Sequence, residues 1–305
     1  MGVWIDTDMG FDDIAAILVV DQSKLKIDGV SLVFGNAPLT QVEVNAAGAI
    51  QTFGWTFPIH TGRAQPVLGK FETAQAILGD TGIQTIGRGL PAAALAVSDA
   101  FTALCRWLEA DGPRRILALG PLTNIAAVAL ARPDLATRIT ELTWMGGSVT
   151  AGNHTASAEF NAFADPEALA IVIAHGMPLR MVDLDLCRKV LARPEDAEPV
   201  RRAGGTRAEL LADMFAGYIR IGTSRGRPAM AIYDPCAAVA FVAPDAVNFR
   251  PARIDVELAG PLTRGRTVVE TRDTHARFNA QFAADIDAEA ARTIILAALV
   301  NEARK

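Results

Sequence analysis

Cysteine is scarce in this chain, and its few positions are unsuited to cross-linking. Cys105, Cys187 and Cys236 lie far apart, and no two of them form a CxxC pair. This spacing argues against a disulfide framework and against a zinc site built on paired cysteines. We therefore predict three buried, reduced thiols in a protein of the cytoplasm.

Two further absences narrow the range of partners. The formal net charge is −5 and no basic block occurs anywhere, so a surface that follows nucleic-acid phosphates is not expected. The longest apolar run, within residues 291–305, is too short to cross a bilayer. The N-terminus is acidic by Asp6 and has no basic region, so we expect neither a signal peptide nor a membrane anchor.

Short apolar runs that alternate with longer helical stretches are abundant. Half of the residues are hydrophobic and the mean hydropathy is +0.24, which is ample for a large core. The predicted strands cover residues 3–5, 27–34, 57–62, 114–120, 139–147, 179–185 and 253–258. The predicted helices cover residues 11–22, 40–54, 97–111, 122–131, 165–175, 206–220 and 285–303.

This alternation is typical of βαβ units. It predicts an α/β fold with a mostly parallel central sheet and helices on both faces. We find no repeat or obvious linker, so residues 1–305 are predicted to form a single domain. The stretch 193–227 is the richest in charge and glycine, which suggests an insertion or a mobile flap.

The most unusual local feature is DTDMGFDD at residues 6–13, which places four aspartates around Gly10. In open parallel sheets, ligands bind beyond the carboxyl ends of strands, where this stretch lies. A helix N-terminus favours one or two acidic caps, which would explain Asp12 or Asp13. Four carboxylates this close repel one another unless a cation joins them, and calcium or magnesium prefers such oxygen ligands. Gly10 is expected to let the backbone turn tightly around the ion.

Two metal-dependent families have an acidic motif after the first strand. Asp6 and Asp8 fit the DxDx[TV] motif of haloacid-dehalogenase-like phosphotransferases, which would predict a magnesium-dependent phosphatase. However, position 10 is glycine in this chain, and the pair Asp12 and Asp13 has no place in that motif. That family also needs a downstream lysine and a second acidic motif, neither of which we can place in this sequence.

The whole stretch resembles the DxDxGxDD signature of the nucleoside hydrolases, which are calcium-dependent N-ribohydrolases. Further segments match that family in its own order. They are VFGN (33–36), GPLTNIA (120–126), MGG (145–147), GNHTASAEFNAFADPEA (152–168) and YDPCA (233–237). The resemblance spans about residues 3 to 240 and implies the Rossmann-like fold of that family, acting as a homodimer or homotetramer.

The resemblance also implies a role for individual residues. The calcium ligands would be Asp8, Asp13, the carbonyl of Thr123, and Asp234. The reaction would be hydrolysis of the N-glycosidic bond through an oxocarbenium-like transition state, with Asp8 as general base toward a calcium-bound water.

The substrate-binding residues would be Asp12, Asn36 and Asn161 at the ribose hydroxyls, Asn153 and Glu159 at the 5′-hydroxyl, and Met145 and Phe160 against the sugar. Asp6 would be structural, with its hydrogen bonds in the loop. Asp165, which precedes Pro166, is interpreted purely as a helix cap.

The residues expected to meet the leaving base depart from the family pattern. Tyr233 stands where many members have a histidine before the last metal aspartate, and Leu78 where many have one in a loop. Tyrosine has an ordinary pKa of about 10, which suits proton donation at neutral pH poorly. His154 is the only histidine near the motifs, and all four tryptophans are predicted to be core residues. A non-catalytic nucleoside binder is therefore the alternative, although Asp8 argues against it.

Overall fold

The computed structural model describes residues 2–96 and 98–305. Val97, where one predicted helix begins, lies outside the described residues. The strands are β1 (Gly2–Thr7), β2 (Lys26–Leu32), β3 (Ile59–Thr61), β4 (Arg114–Ala118), β5 (Ile139–Met145), β6 (Leu179–Val182), β7 (Leu191–Ala192), β8 (Met230–Ala231), β9 (Val247–Val256), β10 (Thr267–Glu270) and β11 (Ala280–Ile286).

Helices connect these strands. They are α1 (Phe11–Asp21), α2 (Leu39–Phe53), α3 (Gln75–Leu78), α4 (Ala100–Glu109), α5 (Thr123–Ala131), α6 (Pro133–Ala136), α7 (Phe160–Ala164), α8 (Pro166–Ala174), α9 (Leu184–Cys187), α10 (Ala197–Arg202), α11 (Ala208–Thr223), α12 (Asp234–Val242) and α13 (Ala288–Ala303). Two 3₁₀ turns cover Pro194–Asp196 and Pro244–Ala246. No helix in the described ranges has both the length and the apolar character that a bilayer crossing requires.

The main sheet has nine strands in the order β10-β9-β11-β6-β5-β4-β1-β2-β3. Pairing is parallel from β11 through to β3, whereas β9 and β10 extend one edge in antiparallel fashion. Strands β7 and β8 form a separate antiparallel ribbon. The predicted α/β architecture with a mostly parallel sheet is confirmed.

Alternate residues of the strands serve two hydrophobic cores, one on each face of the sheet. In β1, Val3 and Ile5 belong to the larger core, whereas Trp4 belongs to the smaller one. In β4, Leu117 joins the larger core and Ile116 the smaller. This follows from the two-residue period of a strand, and it explains why the strands are nearly continuous apolar runs.

The position of β1 determines where a ligand can bind. It lies between β2 and β4, so the chain winds toward one edge after β1 and toward the other after β4. Crevices form at such a switch point, outside the carboxyl ends of the strands. The acidic stretch after β1 opens into this crevice.

Three parts of the fold differ from the predictions. Strands β10 and β11 were missed because most of their residues are half-buried or exposed, which weakens their apolar pattern. The last helix was predicted from residue 285 but begins at Ala288. The stretch 193–227 is largely α10 and α11, and α11 buries side chains such as Phe215 in the larger core. Its longest exposed run is the turn after α11, residues 224–227.

Candidate active site

A cleft of about 380 Å³ opens at the carboxyl ends of the central strands. Ten of the twelve predicted site residues line it: Asp8, Asp12, Asn36, Met145, Asn153, Glu159, Phe160, Asn161, Tyr233 and Asp234. The other two, Asp13 and Thr123, are buried. Leu78 also lines the cleft, as its match to the loop histidine of the family suggests.

Asp13 is both a cap and part of an acidic cluster. Its carboxylate accepts hydrogen bonds from the backbone N–H of Gly10 at 2.8 Å and from the hydroxyl of Thr7 at 2.5 Å. The backbone N–H of Asp8 adds a third bond at 3.2 Å. These donors fix the start of α1, so capping explains one of the four aspartates.

The tight turn before α1 is made by Met9 rather than by Gly10. Met9 has a φ of 51°, in the left-handed region, and it is fully buried. Gly10 has an ordinary φ of −78°. The expectation that Gly10 supplies the turn is therefore wrong. Gly10 instead provides space, because a Cβ there would lie 2.3 Å from Nδ2 of Asn36.

Asn36 holds Asp8 in place. Its backbone N–H donates to Oδ2 of Asp8 at 2.7 Å, and its side-chain amide donates to Oδ1 at 2.8 Å. The same amide lies 3.2 Å from Oδ2 of Asp13. These bonds form because β1 and β2 are neighbouring parallel strands that end together. Gly35 permits the approach, since a Cβ there would lie 2.0 Å from Oδ2 of Asp8.

Asp12, Asp13 and Asp234 form a compact acidic group. Each offers one carboxylate oxygen, and these oxygens all lie within 4.8 Å of one another. Asp234 reaches the group because it is the first residue of α12, which packs against α1. This group contains Asp12, which we predicted to bind ribose, and does not contain Asp8.

Burial makes this arrangement costly without a cation. Loss of solvent, together with the neighbouring negative charge of Asp13, raises the pKa of Asp12 to about 7. The same two causes raise the pKa values of Asp8 and Asp234, and burial raises that of Asp13. Among the described ion pairs, none involves these four carboxylates. A set of buried carboxylate oxygens suits a hard divalent ion, so these residues are able to hold a metal.

Thr123 and Asp165 join two helix starts behind the floor of the cleft. The Thr123 hydroxyl donates to Oδ2 of Asp165 at 2.6 Å. Asp165 caps α8 through the N–H of Ala168, as predicted, and it also accepts the N–H of Val67 at 2.9 Å. Asp165 is therefore more than a cap, because it anchors the residue predicted to offer its carbonyl to calcium.

Asp6 is structural, but it lies within β1 rather than in the loop. Its Oδ1 accepts hydrogen bonds from Asn124, at 2.7 Å, and from the Ser31 hydroxyl. Oδ2 has no partner among the described residues. Burial raises its pKa to about 7. The Asp6 side chain does not line the cleft.

One wall of the cleft is rigidly hydrogen-bonded. Glu159 caps α7, accepting the backbone N–H groups of Asn161, Ala162 and Gly147 at 2.8 to 2.9 Å. Burial raises the pKa of Glu159 to about 7, although these donors oppose the rise. Asn153 accepts the N–H of Phe160 at 2.9 Å.

Asn161 is equally constrained on this wall. Its side-chain amide donates to the carbonyls of Leu119 at 2.8 Å and Met145 at 3.0 Å. The Asn161 carbonyl oxygen and the Asn153 amide nitrogen have no side-chain partner in the described chain, so both are available to a ligand.

The opposite side of the cleft was largely missed by sequence reasoning. Tyr218, Ile221 and Arg225 line it from α11 and the turn after it. Their spacing of three and four residues places them on one helix face, and this spacing is visible in the sequence. Arg227 and Arg188 lie near Tyr233. Their charges lower the pKa of Tyr233, but burial outweighs them and raises it to about 12.

Of the four histidines only His154 lines the cleft. Its ring packs against Phe163 and Phe160, and its Nε2 lies 3.2 Å from a carboxylate oxygen of Glu72. None of the four tryptophans lines the cleft. The cleft therefore combines an acidic, oxygen-rich floor with Leu78 and Tyr233 at the two positions where the resemblance predicts histidines.

Known proteins share this fold and sequence pattern. The family profile described as "Inosine-uridine preferring nucleoside hydrolase" matches residues 3–293. The chain is 29% identical over 269 residues to the pyrimidine-specific ribonucleoside hydrolase RihB of Escherichia coli, an alignment that covers 87% of this chain and 86% of that relative.

Solved structures agree with this match. A purine-preferring ribonucleoside hydrolase from Gardnerella vaginalis superimposes with a TM-score of 0.91 and 25% identity, covering 100% of this chain and 99% of that one. A plant nucleoside hydrolase superimposes with a TM-score of 0.90 and 25% identity, covering 98% of each chain.

Fold and motifs together define an N-glycosyl hydrolase that acts on small-molecule ribonucleosides. The chain belongs to the inosine-uridine preferring nucleoside hydrolase family. The predicted resemblance is confirmed, and so is the predicted reaction class, hydrolysis of the N-glycosidic bond of ribonucleosides. The family match removes the phosphatase alternative and favours hydrolysis over simple nucleoside binding.

Proposed function

We propose that this hydrolysis depends on calcium, and that Asp8 is the general base that removes a proton from the attacking water. The observation that carries the proposal is the group of buried carboxylates with no basic partner. Asp8, Asp13, Asp234 and the carbonyl of Thr123 would hold the ion, and Asp12 is close enough to join them. When bound, calcium supplies Lewis-acid activation of water and offsets the carboxylate charge.

Asp8 is suited to accept a proton. Both of its oxygens are oriented by Asn36, so the carboxylate is held in one position before the substrate arrives. Its negative charge and that of Asp12 also face the sugar. Positive charge develops on the ribose as the glycosidic bond breaks, and fixed carboxylates stabilise that charge.

The remaining cleft residues bind the ribose in this proposal. Asp12, Asn36 and Asn161 offer oxygen atoms to the 2′- and 3′-hydroxyls, and Asn153 and Glu159 face the 5′-hydroxyl. Met145 and Phe160 pack against the sugar ring. A substrate without the 2′-hydroxyl would leave buried polar groups unpaired, so 2′-deoxynucleosides should be poor substrates.

The base end works differently from the histidine-containing pattern. Tyr233 lines the cleft, but a phenol with a pKa of about 12 is a weak proton donor at neutral pH. We propose that Tyr233 contacts the base by hydrogen bonding or stacking instead of protonating it.

In the test, purified protein is incubated with purine and pyrimidine ribonucleosides, and the release of free ribose and free base is measured. Parallel reactions contain a calcium chelator, a chelator followed by excess calcium or magnesium, and the matching 2′-deoxynucleosides. We expect release that is lost on chelation, restored by calcium and not by magnesium, and weak for the deoxy substrates. Release that survives chelation would refute the metal dependence, and restoration by magnesium alone would refute the assignment of calcium.

Three broader properties belong to the same proposal. All three cysteines are buried and unpaired, which supports a cytoplasmic setting. Strands from both ends of the chain, β1 and β11, enter one sheet, which supports a single domain. Assembly as a homodimer or homotetramer rests on the family resemblance.

A further inference from the structure

We propose that Arg225 and Arg227 form an anion-binding subsite at the base end of the cleft. The preferred substrates would then be ribonucleosides whose base carries a negative charge at neutral pH. This inference rests on the proposed function, because the ribose-binding residues define which end of the cleft receives the base.

The first observation is that these two guanidinium groups have no acidic partner. Arg225 and Arg227 line the cleft from the exposed turn after α11, and neither makes a side-chain hydrogen bond or ion pair within the described part of the chain. Arg264, by contrast, is paired with Glu167 at 2.7 Å. Arg188 also lines the cleft, but three of its donors already bond to Asp185, Ala151 and Gly152.

The second observation is where this charge lies relative to the sugar. The floor carboxylates and Asn36 would hold the 2′ and 3′ side, and Asn153 with Glu159 would hold the 5′ side. Arg227 lies near Tyr233, which the family resemblance places at the base, and Arg225 lines the same cleft. A base attached to C1′ would therefore point toward positive charge.

A phosphate on the 5′ position is a less suitable source of the negative charge. The 5′ wall contains Glu159, a carboxylate that is 2% exposed and lines the cleft. A phosphate there would meet a like charge in a desolvated place, which is unfavourable. The anion that fits is on the base, either as a ring carboxylate or as an ionised ring N–H.

The chemistry gives such a subsite a function. The C1′–N bond breaks so that its electron pair goes to the base nitrogen, while water adds its oxygen to C1′ and gives a proton to Asp8. No histidine at the family positions supplies a proton to the departing base. Fixed positive charge near that base stabilises the negative charge that it acquires. It also offsets the repulsion between an anionic base and the acidic floor.

The test compares matched substrate pairs in the calcium-loaded enzyme. Xanthosine, whose dioxopurine ring ionises near neutral pH, is compared with inosine, and orotidine, which carries a ring carboxylate, with uridine. The double variant Arg225→Gln/Arg227→Gln is measured beside Arg220→Gln, which removes an exposed arginine of α11 outside the cleft. Thermal unfolding checks that each variant folds.

We expect the wild type to favour an anionic substrate over its neutral partner in kcat/KM. In the double variant that ratio should fall by about tenfold or more, since a charge-assisted contact contributes about 1.5–3 kcal/mol. Arg220→Gln should leave the ratio unchanged. The single variants Arg225→Gln and Arg227→Gln should each lower it partly.

An unchanged ratio in the folded double variant would overturn the inference while leaving the proposed function intact. So would a preference for inosine 5′-monophosphate that the double variant loses, because the arginines would then bind the phosphate end. If no ribonucleoside is cleaved, the proposed function fails. The affinities of the protein for xanthosine and for inosine, measured by calorimetry, then test the inference separately. Equal affinities would refute it.

Discussion

The floor and the rim of the cleft are built in opposite ways. The floor consists of Asp8, Asp12, Asp13 and Asp234, which are largely buried and oriented by neighbouring donors and helix starts. The rim carries exposed arginines on a turn, without acidic partners within the described ranges. The floor is therefore costly to change, whereas the rim can change at little cost in stability. We propose that reaction chemistry belongs to the first region and choice of base to the second.

The largest expected effect tests the floor. Asp8→Asn should lower kcat by about a thousandfold, because positioned general bases contribute roughly 10² to 10⁴. An asparagine would also present an amide to Asn36, which already donates to both oxygens of Asp8. The measurement is kcat at saturating substrate, with calcium content determined by elemental analysis.

Asp6→Asn is the matched control, since Asp6 belongs to the same motif but does not line the cleft. It should keep kcat near that of the wild type. Equal losses in the two variants would show that the motif acts only through folding, and the contrast between floor and rim would then lose its basis.

An intermediate effect is expected at the wall, where Glu159 should make stability depend on pH. Its folded pKa is raised from 4.5 to about 7. As the pH rises through this window, the unfolded chain loses its proton first, so stability present below pH 4.5 is lost by about pH 7. The loss should be about 3 kcal/mol.

Glu159→Gln removes this titration. As the pH rises from 4.5 to about 7, the wild type should therefore lose about 3 kcal/mol of unfolding free energy relative to the variant. Denaturant unfolding at several pH values measures it. A constant difference would mean that the three N–H donors keep Glu159 ionised throughout.

The smallest effect is expected at Tyr233, which lies near Arg227 of the rim. Tyr233→Phe should change kcat/KM on the best substrate by less than about tenfold, which is the range of one hydrogen bond. Steady-state kinetics measures it, with calcium content as the check on neighbouring Asp234. A hundredfold loss of kcat/KM with calcium retained would identify Tyr233 as a proton donor. Reaction chemistry would then no longer be confined to the floor.

The same contrast explains what could be predicted from the sequence. The acidic part of the floor is mostly local, because one turn after β1 holds three of its four carboxylates. The ribose wall is similar, with Glu159 and Asn161 in a single motif around the start of α7. A short motif fixes such positions through backbone geometry, so the structure places the predicted residues around one cleft.

The rim could not be predicted in the same way. Arg225 has no acidic partner among the described residues, and partners such as Glu167 for Arg264 come from distant segments, so the local sequence does not reveal which arginines are paired. Strands β10 and β11 were missed for a related reason, since pairing with β9, and for β11 also with β6, forms them more than their own pattern does. The second role of Asp165 depends on Thr123, which only the packing of α5 on α8 brings near.

The entry of Asp234 into the acidic group also has a consequence for biosynthesis. Asp12 and Asp13 leave the ribosome early, whereas Asp234 follows most of the chain. A domain generally folds as a unit during synthesis, and the last carboxylate of this group is added more than two hundred residues after Asp13. A chain that ends before α12 lacks Asp234 and therefore one carboxylate of the acidic group. In the proposed calcium site, such truncated products should be recognisable by their inability to retain the ion.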